Sequence, residues 1–403
     1  MKTKILITGM LLVALLSCRK EEIREVCLKN AESGTVSCPP KPDDLGDGWQ
    51  VETLCAVGMD PAPILDLVHM IDNLGDHHYE GLLIVKDNYL VYEKYWPGYE
   101  FNWDNTSILG PRVNYGPRTR HYLASESKSV TSLVFGIAMD QGLISSVDNK
   151  IEPYYSSDYP GLLTGQKKEI TIKQLLTMSS GLAWDESTPA TSDAYYLFRV
   201  SDPIRYILSL ALQHPPGTFF HYNSGGTNIL GDLVHRTSGI NLREFARTNL
   251  FGPLQITNWE WKAIRNDHYF ASGGLFMTPR DLIKLGQLCL NKGRWGDRQI
   301  VSEAWIREST AARIAPAEMP IGDKYGYQWW MKDFAVDDEI YRSYFAVGWG
   351  EQYMYVFKRE NLIILFTGSY YYEGPEVPIH YLVNDFILPA VTANCSPVPD
   401  TGQ

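Results

Sequence analysis

The sequence predicts an α+β fold in which strand-forming segments near both ends of the chain enclose a mainly helical middle. Near the start, residues 81–85 and 89–92 are apolar, β-prone runs on either side of the turn pair Asp87-Asn88. Three more strand-like runs follow near the end, at residues 327–331, 353–357 and 362–367. Because the two ends must pair to cover one core, we predict a single antiparallel sheet flanked by helices, with a helical lobe inserted in it.

Sequence signals for helix N-termini occur at three places in the rest of the chain. Asp60-Pro61, Asp202-Pro203 and Thr278-Pro279 each place a capping side chain before a proline, as is typical of a helix N-terminus. The predicted division is a signal peptide at 1–17, a Pro- and Asp-rich tether at 18–50, an α/β lobe made of 51–122 and 265–395, and a helical lobe at 123–264.

The first residues have the pattern of an export signal. Lys2 and Lys4 precede an apolar run at 5–16, which is too short to span a bilayer comfortably. Leu15-Leu16-Ser17-Cys18 resembles the lipobox of bacterial lipoproteins, which predicts lipidation of Cys18; the alternative is an ordinary secretory signal with an incidental cysteine. Either way we expect an exported protein, periplasmic or anchored to the outer membrane of a bacterium.

The six cysteines fit that compartment. Cys289 lies in an apolar helical run and is expected to be a buried thiol. The remaining four, apart from Cys18, are expected to form two disulfides, as is common in exported proteins: Cys27, Cys38, Cys55 and Cys395. Of the three pairings we favour Cys27–Cys38 with Cys55–Cys395, since the second would join the entry of the body to its exit.

Composition narrows the function further. Hydrophobic residues make up 44% of the 403 residues, which is ample for a large core. The formal net charge is -11 and no Lys/Arg-rich block occurs in the body, so nucleic acid is an improbable partner on electrostatic grounds. No histidine or cysteine cluster has zinc-ligand spacing, so the sequence predicts neither a metal nor a cofactor.

The clearest chemical pattern is Ser125-Glu126-Ser127-Lys128, an S-x-x-K sequence at the start of an apolar helix-period run. Lys128 lies one helical turn after Ser125, on the same face. A serine becomes a nucleophile when a base removes its proton, and a lysine partly withdrawn from water can be that base. About one S-x-x-K is expected by chance in a chain of this length, so the motif needs support from elsewhere.

Two later stretches supply that support. Tyr222-Asn223-Ser224 lies on a loop before a helix and could present a phenol to the nucleophile, although a lone loop tyrosine is more often structural. Gly348-Trp349-Gly350 runs into the penultimate strand, where glycine permits either close approach of a ligand or a simple bulge.

Taken in this order, the three stretches resemble those of the penicillin-recognising serine hydrolases, and more narrowly the class C β-lactamase-related family. That family includes D-alanyl-D-alanine carboxypeptidases, esterases and 6-aminohexanoate-oligomer hydrolases. The resemblance extends from about residue 81 to 367 and includes residues 170–182 and 273–282. It implies the two-lobed β-lactamase/transpeptidase fold, with the active site in the cleft between the lobes.

The resemblance also implies roles for individual residues. The nucleophile falls on Ser125, the lysine on Lys128 and the tyrosine base on Tyr222. Ser224 replaces the asparagine of the usual Y-x-N motif, and Gly348 stands where the family has lysine or histidine. The expected substrate-binding residues are Ser224, Gly348, Trp349 and Gly350.

The function implied is an exported hydrolase that acts on a small ester or amide through an acyl-enzyme and is a poor β-lactamase. Penicillins and D-Ala-D-Ala peptides carry a carboxylate beside the scissile bond, and the cation that usually faces it is missing at Gly348. Arg342 could swing in to replace that cation. The alternatives are a true β-lactamase or carboxypeptidase, and a catalytically silent lipoprotein that only binds in its cleft.

Overall fold

The computed structural model describes residues 37–103, 107–186, 191–316, 319 and 321–392. The strands in these ranges are β1 Gln50–Val51, β2 Tyr79–Lys86, β3 Tyr89–Tyr95, β4 Pro97–Phe101, β5 Leu109–Asn114, β6 His121–Tyr122, β7 Trp259–Trp261, β8 Ala263–Arg265, β9 His268–Tyr269, β10 Leu275–Met277, β11 Arg294–Trp295, β12 Arg298–Gln299, β13 Lys324–Tyr325, β14 Trp330–Val336, β15 Glu339–Gly348, β16 Gln352–Phe357 and β17 Leu362–Gly368.

Helices fill most of the segment between the two groups of strands. The α-helices are α1 Pro61–Asp72, α2 Ser127–Asp140, α3 Glu152–Tyr155, α4 Ile172–Leu176, α5 Asp193–Tyr196, α6 Pro203–Ser209, α7 Ser224–Ser238, α8 Leu242–Ala246, α9 Pro279–Leu290, α10 Glu303–Ser309, α11 Ile379–Leu382 and α12 Leu388–Thr392. Short 3₁₀ helices cover Cys55–Val57, Ala124–Glu126 and Gly165–Glu169, and π-helical turns cover Arg247–Phe251 and Val383–Ile387.

One eight-stranded sheet joins the two ends of the chain, in the order β1-β3-β2-β17-β16-β15-β14-β13. The N-terminal and C-terminal strands meet where β2 pairs antiparallel with β17, with Ile84 opposite Ile364. Its strand pairs are antiparallel except β1 with β3, which is parallel. The predicted fold class, an antiparallel sheet flanked by helices, is therefore confirmed, whereas the division into lobes stays a prediction.

Alternate residues of β17 face two different hydrophobic cores. Ile363 and Leu365 pack in the core that contains the apolar face of α2, and Ile364 and Phe366 pack in the core that contains α1 and the C-terminal helices. This alternation follows from the two-residue period of a strand. Both faces of the strand are buried because helices cover each side of the sheet.

The local turn and cap signals in the sequence are confirmed. Asp87 and Asn88 have φ values of 52° and 71°, the backbone that a tight two-residue hairpin between β2 and β3 requires. Asp60, Asp202 and Thr278 cap α1, α6 and α9, and each side chain accepts a backbone N–H of the first turn.

The strand predicted at residues 327–331 begins later than expected. Gln328 has φ of 66°, a value that breaks an extended run, and β14 starts only at Trp330. The Gln328 side chain accepts a hydrogen bond from Thr227 and donates to the backbone oxygens of Leu175 and Leu176. The side-chain amide of Gln328 therefore connects α4 and α7 to the segment just before β14, where the sequence pattern predicts strand pairing.

The favoured disulfide pairing is wrong. Cys38 bonds to Cys55, with their Cα atoms 6.1 Å apart, so neither Cys27–Cys38 nor Cys55–Cys395 forms. The 3₁₀ helix at Cys55–Val57 turns Cys55 towards Cys38, whose sulfur also accepts the Cys55 N–H at 3.3 Å. Cys27 and Cys395 lie outside the described residues, and Cys289 is a buried free thiol as expected.

A buried arginine fastens the N-terminal segment to the body. Arg280, at the start of α9, binds both carboxylate oxygens of Glu93 on β3, at 2.9 and 2.6 Å. The same guanidinium donates to the Asp47 carboxylate at 3.1 Å and to the Asp43 carbonyl at 2.8 Å. The Trp49 indole N–H donates to the Arg280 carbonyl. We call these contacts of Arg280 the Arg280 clamp.

Residues 1–36, which hold the predicted signal peptide and Cys18, lie outside the described residues. In the ranges given above, no helix combines the length and the apolar character that crossing a membrane demands.

Candidate active site

Ser125 lies at the entrance of α2, within the 3₁₀ helix Ala124–Glu126. The preceding residue, Ala124, has φ of 45°, which a residue with a side chain rarely adopts. The Leu123 N–H donates to the Leu275 carbonyl at 2.9 Å and ties this turn to β10. A strained, well-fastened turn of this kind is common where a catalytic side chain must be held in place.

Lys128 is the residue in contact with the Ser125 hydroxyl. Its Nζ lies 2.9 Å from Ser125 Oγ and donates to the Ser272 carbonyl at 3.0 Å. The lysine side chain is buried, with 2% of the residue exposed. This arrangement places an amine within proton-transfer distance of a half-buried serine.

Tyr222 completes the group of three predicted catalytic residues. The Lys128 Nζ lies 4.7 Å from the centroid of the Tyr222 ring, and Trp330 stacks with that ring at 6.0 Å between centroids. Tyr222 stays in this position because Asn223, the next residue, caps α7 by accepting the Gly226 N–H at 2.9 Å. The structure therefore brings Ser125, Lys128 and Tyr222 together.

A polar network behind Lys128 fixes its direction. Asn228, on α7, donates from one amide nitrogen to the Ser272 hydroxyl at 3.1 Å and to the Ser224 carbonyl at 2.9 Å. Ser272 is buried, and its carbonyl receives the Lys128 hydrogen bond. Asn228 thus joins the helix that follows Tyr222 to the loop that orients the lysine.

Ser224, a predicted substrate-binding residue, is buried at the first position of α7. Its N–H donates to Glu186 Oε1 at 2.9 Å, and the same carboxylate accepts the Trp184 indole N–H. A negative charge therefore lies beside the residue that replaces the usual asparagine of the tyrosine motif.

The Gly348-Trp349-Gly350 stretch forms the turn between β15 and β16, in which Gly348 pairs with Gln352. A side chain at Gly348 would collide with the backbone, because its Cβ would lie 2.1 Å from the Leu123 carbonyl oxygen. Gly350 has φ of 89°, and a Cβ there would lie 2.3 Å from the Tyr371 ring. Both glycines are required by close packing against the nucleophile turn and its aromatic neighbours.

Aromatic rings cover the outer side of the nucleophile turn. Phe101 stacks on Tyr122 at 3.9 Å between ring centroids and meets Tyr371 at 5.2 Å. Trp349 packs against Tyr371 at 5.1 Å and is 37% exposed. The pKa of Tyr122 is held well above its ordinary range by burial, with smaller contributions from Tyr195 and Glu186, which face it.

Glu126, the residue after the nucleophile, is fully buried. Neither of its carboxyl oxygens has a hydrogen-bond partner among the described residues. Burial raises its pKa from 4.5 to about 8, so the group is largely a neutral acid at neutral pH.

His121 and Arg342 have partners outside the group of Ser125, Lys128 and Tyr222. The ring of His121 is buried, with Nδ1 3.0 Å from Glu80 Oε2, beneath a stacked Tyr115. Arg342 lies on β15 beside Asp333, six residues before Gly348 and thus roughly 20 Å from it along an extended strand. The proposed replacement of the missing cation by Arg342 is therefore wrong for this arrangement.

Three site residues were not predicted from the sequence, namely Glu186, Asn228 and Ser272. Each acts through a contact between distant segments: Glu186 with Ser224, Ser272 with Lys128, and Asn228 with Ser272. Beside Ser272, Gly273 and Gly274 pack closely on Phe270, since a Cβ at either position would lie 2.8 or 2.9 Å from that side chain, but no local pattern identifies Glu186.

A buried lysine hydrogen-bonded to a serine, beside a tyrosine and next to the β15–β16 turn of the sheet, defines a serine hydrolase of the β-lactamase/transpeptidase type. Residues 68–383 match the family model described as Beta-lactamase, which is more than half of the chain. This chain belongs to the beta-lactamase family, a family of serine hydrolases.

Two curated relatives illustrate the range of that family. The chain is 27% identical over 239 residues to a 6-aminohexanoate-dimer hydrolase of Paenarthrobacter ureafaciens, covering 54% of this chain and 59% of the relative. It is 24% identical over 298 residues to a putative D-alanyl-D-alanine carboxypeptidase of Escherichia coli O157:H7, covering 61% and 68%. The chain thus spans less than two thirds of the length of the first relative and just over two thirds of the length of the second.

Solved structures share the fold. A putative 6-aminohexanoate-dimer hydrolase from Bacillus anthracis superposes with a TM-score of 0.63 at 20% identity, over 81% of each chain. A class C beta-lactamase mutant superposes with a TM-score of 0.60 at 13% identity, over 81% of this chain and 96% of its own. At these identities the likeness concerns the fold.

Proposed function

We propose that this chain is an exported hydrolase that cleaves a small ester or amide through an acyl-enzyme on Ser125. The observation that carries the proposal is the 2.9 Å contact between Lys128 Nζ and Ser125 Oγ. A lysine amine in its neutral form can accept the serine proton as the hydroxyl oxygen attacks a carbonyl carbon.

The steps follow from the same residues. Ser125 Oγ forms a bond to the carbonyl carbon, and its proton passes to Lys128 and Tyr222. The tetrahedral intermediate expels the alcohol or amine, which takes that proton. Water then adds to the acyl-enzyme and loses a proton to the same pair. The bond from the carbonyl carbon to Ser125 Oγ breaks, the oxygen takes that proton back, and the acid is released. The N–H of Ser125 and an N–H of the Gly348–Gln352 turn are the proposed donors to the oxyanion.

Two contacts argue against efficient β-lactam or D-Ala-D-Ala turnover. Gly348 has no room for the lysine or histidine that would face the substrate carboxylate, since Leu123 O occupies the place of its Cβ. The Glu186 carboxylate beside Ser224 adds repulsion against an anion near the scissile bond. We therefore expect kcat/KM for cephalosporins below ~10⁴ M⁻¹s⁻¹, the low end for natural enzyme–substrate pairs.

A fluorophosphonate probe tests the mechanism. The expected result is covalent labelling of Ser125 in the native protein and none in Ser125→Ala, with unchanged thermal stability. Failure of the native protein to label or to hydrolyse any ester would favour the alternative of a silent cleft-binding protein.

A substrate comparison tests the specificity. Short-chain nitrophenyl esters should be hydrolysed faster than a chromogenic cephalosporin and faster than D-Ala-D-Ala peptides release alanine. The opposite order would favour the β-lactamase or carboxypeptidase alternative.

We further propose that the protein is exported and lipidated at Cys18. The Cys38–Cys55 disulfide supports an oxidising compartment. Expression in a bacterial host should place the protein in the membrane fraction, and Cys18→Ser should release it; a soluble native protein with an intact N-terminus would contradict the anchor.

A further inference from the structure

Gln352, the first residue of β16, is fully buried at the turn that follows Gly348. Its side-chain nitrogen donates to the Gly350 carbonyl at 3.2 Å and also to the carbonyl of Gly368, the last residue of β17. The side-chain oxygen has no partner among the described residues. The amide thus fastens the β15–β16 turn to the end of β17 through its nitrogen.

The Gly350 carbonyl is held in one direction by its surroundings. The Tyr370 N–H approaches the same oxygen at 3.4 Å, in addition to the Gln352 amide. Gly368 packs closely on it, because a Cβ at position 368 would lie 2.8 Å from that oxygen. Since Gly368 ends β17 and Tyr370 follows it, the carbonyl points towards the β17 side of the turn.

The direction of this carbonyl fixes the direction of the next N–H. In a trans peptide, the C=O of one residue and the N–H of the next point in opposite directions, so the Glu351 N–H points away from β17. No acceptor for this N–H is found within the part of the chain that the structure describes. Glu351 has φ of 68°, which is uncommon for a residue with a side chain, so the turn depends on its contacts to keep this form.

The nucleophile turn contacts the sheet on the other side of β16. In the strand order, β16 lies between β17 and β15. The last residue of β15 is Gly348, whose Cβ position is 2.1 Å from the Leu123 carbonyl oxygen, two residues before Ser125. A donor that points away from β17 therefore points towards the strand that packs on the nucleophile turn.

We propose that Gln352 is a positioning residue for the hydrolase reaction. Its side-chain amide orients the peptide between Gly350 and Glu351, so that the Glu351 N–H serves as the second donor to the oxyanion beside the Ser125 N–H. The inference rests on the proposed function and specifies which N–H of the turn is used. A donor that is oriented before the reaction stabilises the oxyanion without the cost of rotating a peptide during the step.

Gln352→Met tests the role of the amide, because methionine is flexible enough to fill the space and has no N–H to donate. We expect kcat for a nitrophenyl ester to fall by about 10- to 100-fold, since the loss of a whole oxyanion donor costs somewhat more. KM should stay within about threefold, because the donor acts in the transition state and not in ground-state binding.

A thionoester separates positioning from a general disturbance of the fold. Sulfur is a weaker hydrogen-bond acceptor than oxygen, so hydrolysis of a thionoester depends less on the oxyanion donors. The ratio of the oxoester rate to the thionoester rate should therefore fall in Gln352→Met. An equal loss of rate for both esters would show a structural role only and would overturn the proposal.

Gln287→Met is the matched control. Gln287 is also buried, on α9, its Nε2 donates to Asn88 Oδ1 at 2.7 Å, and its Oε1 likewise has no partner among the described residues. This variant should keep the native kcat and the native ratio of the two ester rates. If Gln352→Met does not fold, Gln352→Glu replaces it, since glutamate keeps the shape and has at most one donor in place of two; the same ratio should fall, by a smaller factor.

Two outcomes distinguish a failure of this inference from a failure of the proposed function. If the native protein hydrolyses esters and the Gln352 variants keep its rates and its ratio, the positioning role alone is wrong. If the native protein hydrolyses no ester, the proposed function is wrong, and a crystal structure of Gln352→Met decides the orienting role. A Gly350 carbonyl turned away from Gly368 supports that role, and an unchanged carbonyl overturns it.

Discussion

Gly348 packs directly on the carbonyl oxygen of Leu123, so that a Cβ at position 348 would lie 2.1 Å from that oxygen. Leu123 is two residues from the nucleophile, and the contact joins the β15–β16 turn to the 3₁₀ helix that carries Ser125. The identity of residue 348 is therefore coupled to the position of the nucleophile.

For this reason, placing at position 348 the lysine that the family usually has there should not produce β-lactamase activity. We expect Gly348→Lys to lower the melting temperature and to reduce the rate of fluorophosphonate labelling by at least ~10-fold, because overpacking against the backbone displaces Ser125. Cephalosporin hydrolysis should not increase. Gly374→Ala is the control, since nothing lies within 4 Å of its Cβ position. A Gly348→Lys protein that hydrolysed cephalosporins with native stability would contradict this reading.

Lys128 and Tyr222 should act on one proton path. Lys128→Ala and Tyr222→Phe should each reduce turnover of a nitrophenyl ester by at least ~10²-fold, the usual scale for a positioned acid or base. The double variant should lose much less than the product of the two effects, because both residues serve the same transfer. An unchanged rate in Tyr222→Phe would assign the proton transfer to Lys128 without the phenol.

Glu126 should make stability fall as the pH rises. The unfolded carboxyl loses its proton near 4.5 and the folded one near its pKa of about 8. Between these values the unfolded state binds fewer protons, so the free energy of unfolding decreases from pH 4.5 up to about 8 and is flat outside that window. Glu126→Gln removes the titration, and its melting temperature relative to the native protein should rise by several degrees across the window.

The control for that experiment is Glu339→Gln, since Glu339 is 61% exposed. Its melting curve should run parallel to that of the native protein over the same pH range. Parallel curves for Glu126→Gln as well would show that Glu126 ionises normally in the folded protein.

The Cys38–Cys55 bridge closes a loop with a sequence separation of 17 residues. A loop of this size is worth roughly 3 kcal/mol through the entropy of the unfolded chain. The double variant Cys38→Ser/Cys55→Ser should therefore melt several degrees lower, and reductant should lower the native protein equally but leave the variant unchanged. Peptide mapping that joined Cys38 to Cys27 would refute this pairing.

The parts of the fold that were predictable from the sequence depend on local contacts. Asp60, Asp202 and Thr278 cap helices through residues two or three positions away, and Asp87-Asn88 needs only its own backbone to form the hairpin. Gln328 was misread because its side chain bonds to α4 and α7, which are distant in sequence and override a strand-like pattern.

The same distinction applies to the site. Ser125, Lys128 and Tyr222 were identified from motifs whose spacing or order is visible in the sequence. Ser272 binds Lys128 across a separation of 144 residues, and Asn228 binds Ser272 across 44 residues; such pairings leave no local signal. The disulfide was mispredicted for a similar reason, because chain direction at the 3₁₀ helix of Cys55 decides which partner is within reach.

The Cys38–Cys55 bridge has a mechanical consequence for the Arg280 clamp. Asp43 and Asp47 are held by the same guanidinium that binds Glu93, and both residues lie inside the loop that the bridge closes. A pulling force applied at the N-terminal end of the described chain therefore passes through the disulfide from Cys38 to Cys55. As long as the bridge is intact, the clamp residues in that loop and β1 at the outer edge of the sheet carry none of this load.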